Sequence, residues 1–190
     1  TWKNMPAVML ESTVQSFAKR LREYADNVGL REVNIIFHGG EPLMCGANRL
    51  IGFADTISDI LGEEIKSSYS MQTNGTLLTE TFLNECEKRN IGISLSIDGH
   101  KCVHDKHRKY KNGKGSHDDV LNGIRLLKEH PSIFEGVIGV IDPCFEPEDV
   151  LQFFDDLGIE NVDLLLPDST YIDLPKGRAE QPDLYKNWLI

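Results

Sequence analysis

The sequence predicts an α/β fold in which parallel strands alternate with helices. Five short runs have the β-branched and apolar density of buried strands, and the segments between them repeat apolar residues at helical spacing. The strand runs are 33–37, 65–71, 91–97, 136–141 and 162–166, and the helical segments are 10–28, 49–61, 81–89, 119–129 and 148–157. The connections between strands are long enough for right-handed βαβ units, which join parallel strands.

Residues at the ends of these segments agree with the predicted helices. Gly29 follows the first helical segment, and glycine commonly ends a helix because it adopts the left-handed conformation without strain. Thr79 and Glu80 precede the third segment, as a capping hydroxyl and an acid of the first turn. Ser116 precedes the fourth segment, whose first turn contains Asp118. The sequence therefore marks helix ends as well as helices.

Composition and charge favour one globular domain over residues 1–190. Apolar residues make up 40% of the chain and charged residues 26%, and the net charge of -10 argues against binding to nucleic acid phosphates. The sequence has no apolar run long enough to cross a membrane and no signal segment, so we expect a cytoplasmic protein. Because the chain begins at Thr1 and ends within an apolar helical run, 185–190, we expect a fragment.

The first strand leads into His38-Gly39-Gly40-Glu41-Pro42. Adjacent glycines let the backbone approach a ligand closely, and the acid can accept hydrogen bonds from an ammonium group. The proline then fixes the direction of the chain. This turn suits an amino-acid-like ligand, although a tight connection without any ligand is the alternative.

Polar residues also end the next two strands. The second strand ends in Gln72-Thr73-Asn74-Gly75, where Asn-Gly marks a turn; the side chains of Gln72 and Asn74 can face the same opening, although such turns are common connections. In the third strand, alternation places Ser94, Ser96 and Asp98 on one face. A parallel strand covered by helices is expected to be apolar on both faces, so these residues indicate a polar lumen. A satisfied polar network in the core is the alternative.

The segment 99–116 reads as a strongly basic loop in an acidic protein. Arg108 can clamp a carboxylate, and the surrounding charges can hold an acidic peptide or a phosphate. A solvated loop is the alternative. The spacing of His104, Asp105 and His107 matches no familiar metal site, and the four scattered cysteines match neither a disulfide framework nor an iron–sulfur motif.

The three strand ends, GGEP, TNG and SxDG in this order, resemble those of the radical SAM superfamily. The run 98–116 is similar to anaerobic sulfatase-maturating enzymes and related SPASM-domain peptide maturases. The FHGGEPL form of the first turn and the segment 162–171, followed by Tyr185, Trp188 and Leu189, resemble the maturases that form cyclophane crosslinks in ribosomal peptides. The resemblance begins at the opening residues 1–3.

The resemblance implies a partial (β/α)6 barrel that binds S-adenosylmethionine (AdoMet) and a [4Fe-4S] cluster held by a CxxxCxxC loop. Reductive cleavage of AdoMet then gives a 5′-deoxyadenosyl radical that removes hydrogen from a peptide side chain, forming a crosslink or an aldehyde. The chain has neither the CxxxCxxC motif, nor the first strand, nor the SPASM extension. We expect that it begins after the cluster loop and is inactive alone. A non-catalytic barrel that binds AdoMet or a peptide, and a phosphate-handling barrel, are the alternatives.

The resemblance also assigns eight cofactor-binding residues. They are Gly39, Gly40 and Glu41 with Pro42 for the methionine amine, Asn74, Ser96 and Asp98 for the ribose and polar contacts, and Arg108 for the methionine carboxylate. The implied partners are a peptide or protein substrate and a reductase or flavodoxin-like electron donor. No residue matches a general base.

Overall fold

The computed structural model describes residues 8–170, 172, 174–175 and 177–190. The opening residues 1–3 and Tyr171, which entered the family resemblance, lie outside these ranges. The described residues form five strands, each overlapping one predicted strand. They are β1 (Glu32–Phe37), β2 (Lys66–Thr73), β3 (Ile91–Ser96), β4 (Phe134–Val140) and β5 (Val162–Leu165).

Seven α-helices and one 3-10 helix, Pro42–Cys45, complete the described part of the chain. The α-helices are α1 (Glu11–Val28), α2 (Ala47–Leu61), α3 (Glu80–Glu87), α4 (Lys101–His107), α5 (His117–Lys128), α6 (Pro147–Asp156) and α7 (Leu184–Leu189). The strands follow one another in the sheet in the order β1-β2-β3-β4-β5. The pairs β1–β2 and β4–β5 are parallel, as alternation with helices predicts.

Two predicted helix ends are confirmed. Gly29 ends α1 with a φ of 71°, and its N–H donates to the carbonyl of Ala25. Thr79 begins α3, and its hydroxyl accepts a hydrogen bond from the Phe82 N–H at 3.3 Å. The Gly29 N–H thus pairs with a carbonyl at the end of α1, and the Thr79 hydroxyl pairs with an N–H in the first turn of α3. Carbonyls at the end of a helix and N–H groups at its start have no partner within the helix.

The prediction that 99–116 is a loop was wrong for its first half, because Lys101–His107 forms α4. This helix has only two buried side chains, Val103 and His104, among charged neighbours. Its apolar stripe is therefore too narrow for periodicity to reveal. The second half turns back on itself, and Lys109 forms an isolated antiparallel bridge with Gly115.

The chain divides into two compact units. The described part of the first unit lies within Thr1–Thr73, Leu77–Ile93 and Leu126–Phe134. Its core includes buried residues of α2 and β2, and Tyr69 is 5% exposed. The Tyr69 hydroxyl is satisfied inside this core by Ser58 Oγ at 2.7 Å and by the Ala54 carbonyl at 3.1 Å. No helix in the described part of the chain is long and apolar enough to cross a membrane.

The second unit comprises Asn74–Thr76, Ser94–Arg125 and Glu135–Ile190, apart from the residues that the structure leaves undescribed. Its core contains fully buried Leu95 and Ile97 of the β3 segment and an aromatic group on α6. Phe153 and Phe154 stack edge to face with ring centroids 5.3 Å apart. This core supports the strand ends from which the polar residues of the unit project.

Candidate functional site

The HGGEP turn leaves the sheet beside the end of the neighbouring strand. Phe37, the last residue of β1, pairs in register with Met71 of β2, so the chain segments that follow them emerge side by side. Gly39 has a φ of 146°, and a Cβ added at Gly39 or Gly40 would meet no atom within 4 Å. The backbone of the turn is therefore open on the side where a ligand could approach.

Glu41 is fixed at this turn by two hydrogen bonds to one carboxylate oxygen. Its Oε1 accepts from the Leu43 N–H at 3.0 Å, which begins the 3-10 helix, and from the Thr73 hydroxyl at 2.7 Å. Thr73 is 2% exposed at the end of β2. The structure thus brings together a predicted site residue and a partner that the sequence prediction missed. Thr73 is adjacent to the predicted Asn74, and its place in the TNG turn was the available signal.

A cavity of about 520 Å³ lies against the same turn. Residues 38–42 line it together with apolar side chains of α1 and α2. It combines an apolar wall with the carboxylate of Glu41, and ligand cavities commonly combine these properties.

In the second unit, Asn74 and Gly75 form the predicted turn. Asn74 Oδ1 accepts hydrogen bonds from the Thr76 N–H at 3.0 Å and from the Thr76 hydroxyl at 2.8 Å. Gly75 has a φ of 74°, and an added Cβ would lie 2.1 Å from Cδ2 of Leu95. Glycine is required here by both conformation and space.

Asp98 and Arg108, two predicted site residues, form a bidentate ion pair. Arg108 Nε donates to Asp98 Oδ2 at 2.7 Å, and Nη2 donates to Oδ1 at 2.8 Å. The Val140 N–H also donates to Oδ1, at 2.9 Å. The Asp98 side chain is 3% exposed and that of Arg108 is 29% exposed. Ser96, two residues before Asp98, is buried, while Ser94 is half-buried and donates to Glu135 at 3.4 Å.

The cations of the 99–116 segment are largely paired with carboxylates of the same unit. Besides Arg108, four of its cationic or titratable side chains have acidic partners. These pairs are Lys101 with Asp118, Lys106 and His107 with Asp142, and Lys114 with Asp119. Ion pairs with carboxylates therefore neutralise much of the positive charge of this segment. It is not a free basic patch, and this disfavours the phosphate-handling alternative.

Asp142 is a strand-end acid that the sequence prediction missed. Its side chain is 7% exposed after β4, where Lys106 and His107 donate to Oδ2 and the Cys144 N–H donates to Oδ1. Burial opposes ionisation of this carboxyl, but these hydrogen bonds outweigh it and hold the pKa of Asp142 far below its usual range. The sequence signal was an acid directly after an apolar strand, as at Asp98.

A second cavity, of about 380 Å³, lies beside these acids within the second unit. Asp98, Arg108 and Asp142 contribute its polar lining, and Ile141 and Tyr185 are among its apolar walls. Each unit thus has a cavity next to one part of the predicted site.

The residues that the structure describes include no group of three or more His, Cys, Asp or Glu side chains placed to bind a metal ion. The four thiols are unpaired: Cys102 and Cys144 are exposed, Cys45 is half-buried and Cys86 is buried. Burial raises the pKa of Cys86 to about 12. The described residues therefore do not fit an iron–sulfur cluster.

Comparisons with known proteins show the family of the chain and its fold. The family model described as the Radical SAM superfamily matches residues 8–157. A serine-type anaerobic sulfatase-maturating enzyme of Bacteroides thetaiotaomicron is 31% identical over 82% of this chain and 37% of its own length. The enzyme of the same name from Klebsiella aerogenes is 30% identical over 70% of this chain and 32% of its own length. The chain thus spans about a third of the length of these two relatives.

Among solved structures, native anSMEcpe with bound AdoMet and the Kp18Cys peptide is similar in fold. The TM-score is 0.83 at 23% identity, covering 96% of this chain and 50% of that one. This likeness confirms the predicted α/β class, a partial barrel of the radical SAM type. The family match covers most of the chain and includes the strand ends that carry the polar residues, so the chain belongs to the radical SAM superfamily.

Proposed function

We propose that this chain is the AdoMet-binding part of an enzyme that modifies a peptide or protein side chain by hydrogen abstraction. The observation that carries the proposal is the anchored carboxylate of Glu41, held 2.7 Å from Thr73 at the ends of two adjacent parallel strands. Parallel α/β folds bind ligands at the carboxyl ends of their strands. Family membership supplies AdoMet as the ligand.

The HGGEP turn would receive the amino-acid end of AdoMet. Gly39 and Gly40 leave room for the backbone to approach the ligand, and the Pro42 ring fixes the chain where the 3-10 helix begins. The carboxylate of Glu41 would carry the negative charge that an ammonium group pairs with. Because Thr73 and the Leu43 N–H hold Oε1, the position of the Glu41 carboxylate is fixed before the ligand binds.

Asp98 and Arg108 would contact the ribose and the methionine carboxylate. Each carboxylate oxygen has two lone pairs, and Asp98 Oδ2 uses one for Arg108 Nε, which leaves an acceptor for a hydroxyl group. Arg108 binds Asp98 through Nε and Nη2, so Nη1 can serve a ligand carboxylate. We assign further ribose and polar contacts to Asn74 and Ser96.

AdoMet held by these residues would supply, on one-electron reduction, the radical that abstracts hydrogen. This chain contributes binding and orientation. The similarity to sulfatase-maturating enzymes supports a peptide or protein substrate. For its modification we propose either aldehyde formation or a crosslink of the cyclophane kind. A reductase or flavodoxin-like protein would supply the electron.

Calorimetric titration of the 190-residue chain with AdoMet tests the binding role. We expect one saturable site, weakened about fivefold by Thr73→Val, which removes one hydrogen bond to Glu41. Glu41→Gln should weaken binding further, because the neutral amide cannot form an ion pair with an ammonium group. Glu32→Gln is the matched control, since Glu32 is an exposed acid at the other end of β1.

Two results would contradict the binding role. One is the absence of saturable binding at millimolar AdoMet. The other is equal affinity for Glu41→Gln and Glu32→Gln, which would remove Glu41 from the site.

A further inference from the structure

The Asp98–Arg108 pair is part of a closed ring of hydrogen bonds that also includes His104 and Ser116. The Asp98 N–H donates to His104 Nδ1 at 3.4 Å, and His104 Nε2 bonds Ser116 Oγ at 3.0 Å. The Ser116 hydroxyl donates to the Arg108 carbonyl at 3.1 Å. The Arg108 guanidinium then returns to the Asp98 carboxylate. The ring connects the backbone of Asp98 to the backbone of the residue that clamps its side chain.

The ring defines the tautomer of His104. Because Nδ1 accepts the hydrogen bond from the Asp98 N–H, the proton lies on Nε2, which donates to Ser116 Oγ. The hydroxyl proton of Ser116 is then directed to the Arg108 carbonyl. Every donor along this path has an acceptor, and the neutral imidazole is the form that satisfies all of them.

Burial keeps His104 in this form. The residue is 0% exposed, and desolvation lowers its pKa to about 4, with the nearby carboxyl of Asp98 opposing the shift. The helix end gives a second connection, since the Arg108 N–H donates to the His104 carbonyl at 2.8 Å. The imidazole is thus held in place, neutral and inaccessible to solvent, behind the ion pair.

We propose that His104 is a positioning residue that sets the orientation of Arg108 and, through it, of the Asp98 carboxylate at the end of β3. The inference rests on the proposed function for what the pair binds, but the orientation itself is a property of the unliganded chain. His104 would not touch AdoMet. Its effect on binding would pass through Arg108 and Ser116.

The test combines nitrogen–proton NMR of the arginine side chains with AdoMet titration. A bidentate pair slows exchange of the arginine Nε–H, so Arg108 should give a protected signal, assigned by its loss in Arg108→Lys. Arg89 is an internal reference, because it forms the same kind of pair with Asp55, at 2.7 and 3.0 Å, in the other unit. His104→Asn, whose side chain is too short to reach Ser116, should broaden the Arg108 signal and leave the Arg89 signal unchanged.

We expect His104→Asn to weaken AdoMet binding about fivefold, the equivalent of one lost hydrogen bond. His104→Gln, whose amide nitrogen can take the place of Nε2, should retain more of the Arg108 signal. Ser116→Ala breaks the ring without changing the histidine, and it decides the inference if His104→Asn does not fold.

An unchanged Arg108 signal in the folded His104 and Ser116 variants would overturn the inference. Unchanged AdoMet affinity in variants whose Arg108 signal is lost would instead contradict the proposed contact of Asp98 and Arg108 with AdoMet. If the unaltered chain binds no AdoMet, the proposed function fails, and the Arg108 signal alone decides whether His104 positions the pair.

Discussion

The second unit should lose stability on mild acidification because His104 is buried in its neutral form. A histidine whose pKa is lower in the folded chain than in the unfolded chain binds more protons when unfolded. Its contribution is fully present above the unfolded value of 6.5 and is lost as the pH falls toward the folded value of about 4. The perturbation is a change from about pH 7.5 to about pH 5, compared between the unaltered chain and His104→Gln.

The magnitude follows from the two pKa values. A shift from 6.5 to about 4 lowers the free energy of unfolding by about 2 kcal/mol between pH 7.5 and 5, and by about 3 kcal/mol once both states are protonated. The acidic groups whose pKa is lowered, such as Asp142 and Asp118, titrate mainly below this window. They also titrate equally in both proteins, so the difference between the proteins isolates His104.

Urea unfolding followed by circular dichroism at the two pH values provides the measurement. His104→Gln should be the less stable protein at pH 7.5, because it disturbs the hydrogen-bonded ring, yet it should lose about 2 kcal/mol less on acidification. Equal losses in the two proteins would refute the buried neutral imidazole and the tautomer inferred from it.

Three other predictions concern packing, the sheet edge and the buried thiol. Gly75→Ala should lower the free energy of unfolding in urea by about 2 kcal/mol or more, since its Cβ would lie 2.1 Å from Leu95. Gly113→Ala is the control, because Gly113 has a φ of 84° but open space around it, and it should lower the free energy of unfolding by only about 1 kcal/mol. Equal losses of stability in the two variants would contradict the steric account. The unaltered chain should self-associate through β1, which pairs with β2 alone among the described strands and exposes 58% of Ile36. Ile36→Lys should reduce this self-association in size-exclusion chromatography. An unaltered chain that elutes as a monomer would contradict the prediction. Cys86 should resist iodoacetamide at pH 8 while the two exposed cysteines react, because its pKa is about 12, and rapid labelling of the folded chain would contradict its burial.

Local chemistry made most of the fold predictable from the sequence. Each strand run contained β-branched and apolar residues between helical segments, and the caps at Gly29 and Thr79 act within a few residues of their helices, so their signals are local. The helix α4 escaped prediction because residues distant in sequence stabilise it. His107 forms a hydrogen bond with Asp142, 35 residues later in the chain. The periodicity of apolar residues within a segment cannot predict a contact between residues so far apart in sequence.

The candidate site was predictable in its acids but not in their partners. Glu41 and Asp98 follow strands, a position that marks them in the sequence as strand-end acids. Thr73 and His104 act by holding those acids or their partners, and their roles depend on distances of 2.7 to 3.4 Å that only the fold creates. Asp142 carried the same strand-end signal as Asp98 and could have been found.

The central claim is that these strand ends place AdoMet for radical chemistry on a peptide, and AdoMet cleavage tests it most directly. The measurement is the amount of 5′-deoxyadenosine formed by the full-length protein that contains this chain, after anaerobic reconstitution with iron and sulfide and reduction with dithionite. We expect 5′-deoxyadenosine from the unaltered protein and from Glu32→Gln, and at least about tenfold less from Glu41→Gln. A reconstituted protein that binds AdoMet but forms no 5′-deoxyadenosine would contradict the claim and leave a binding role alone.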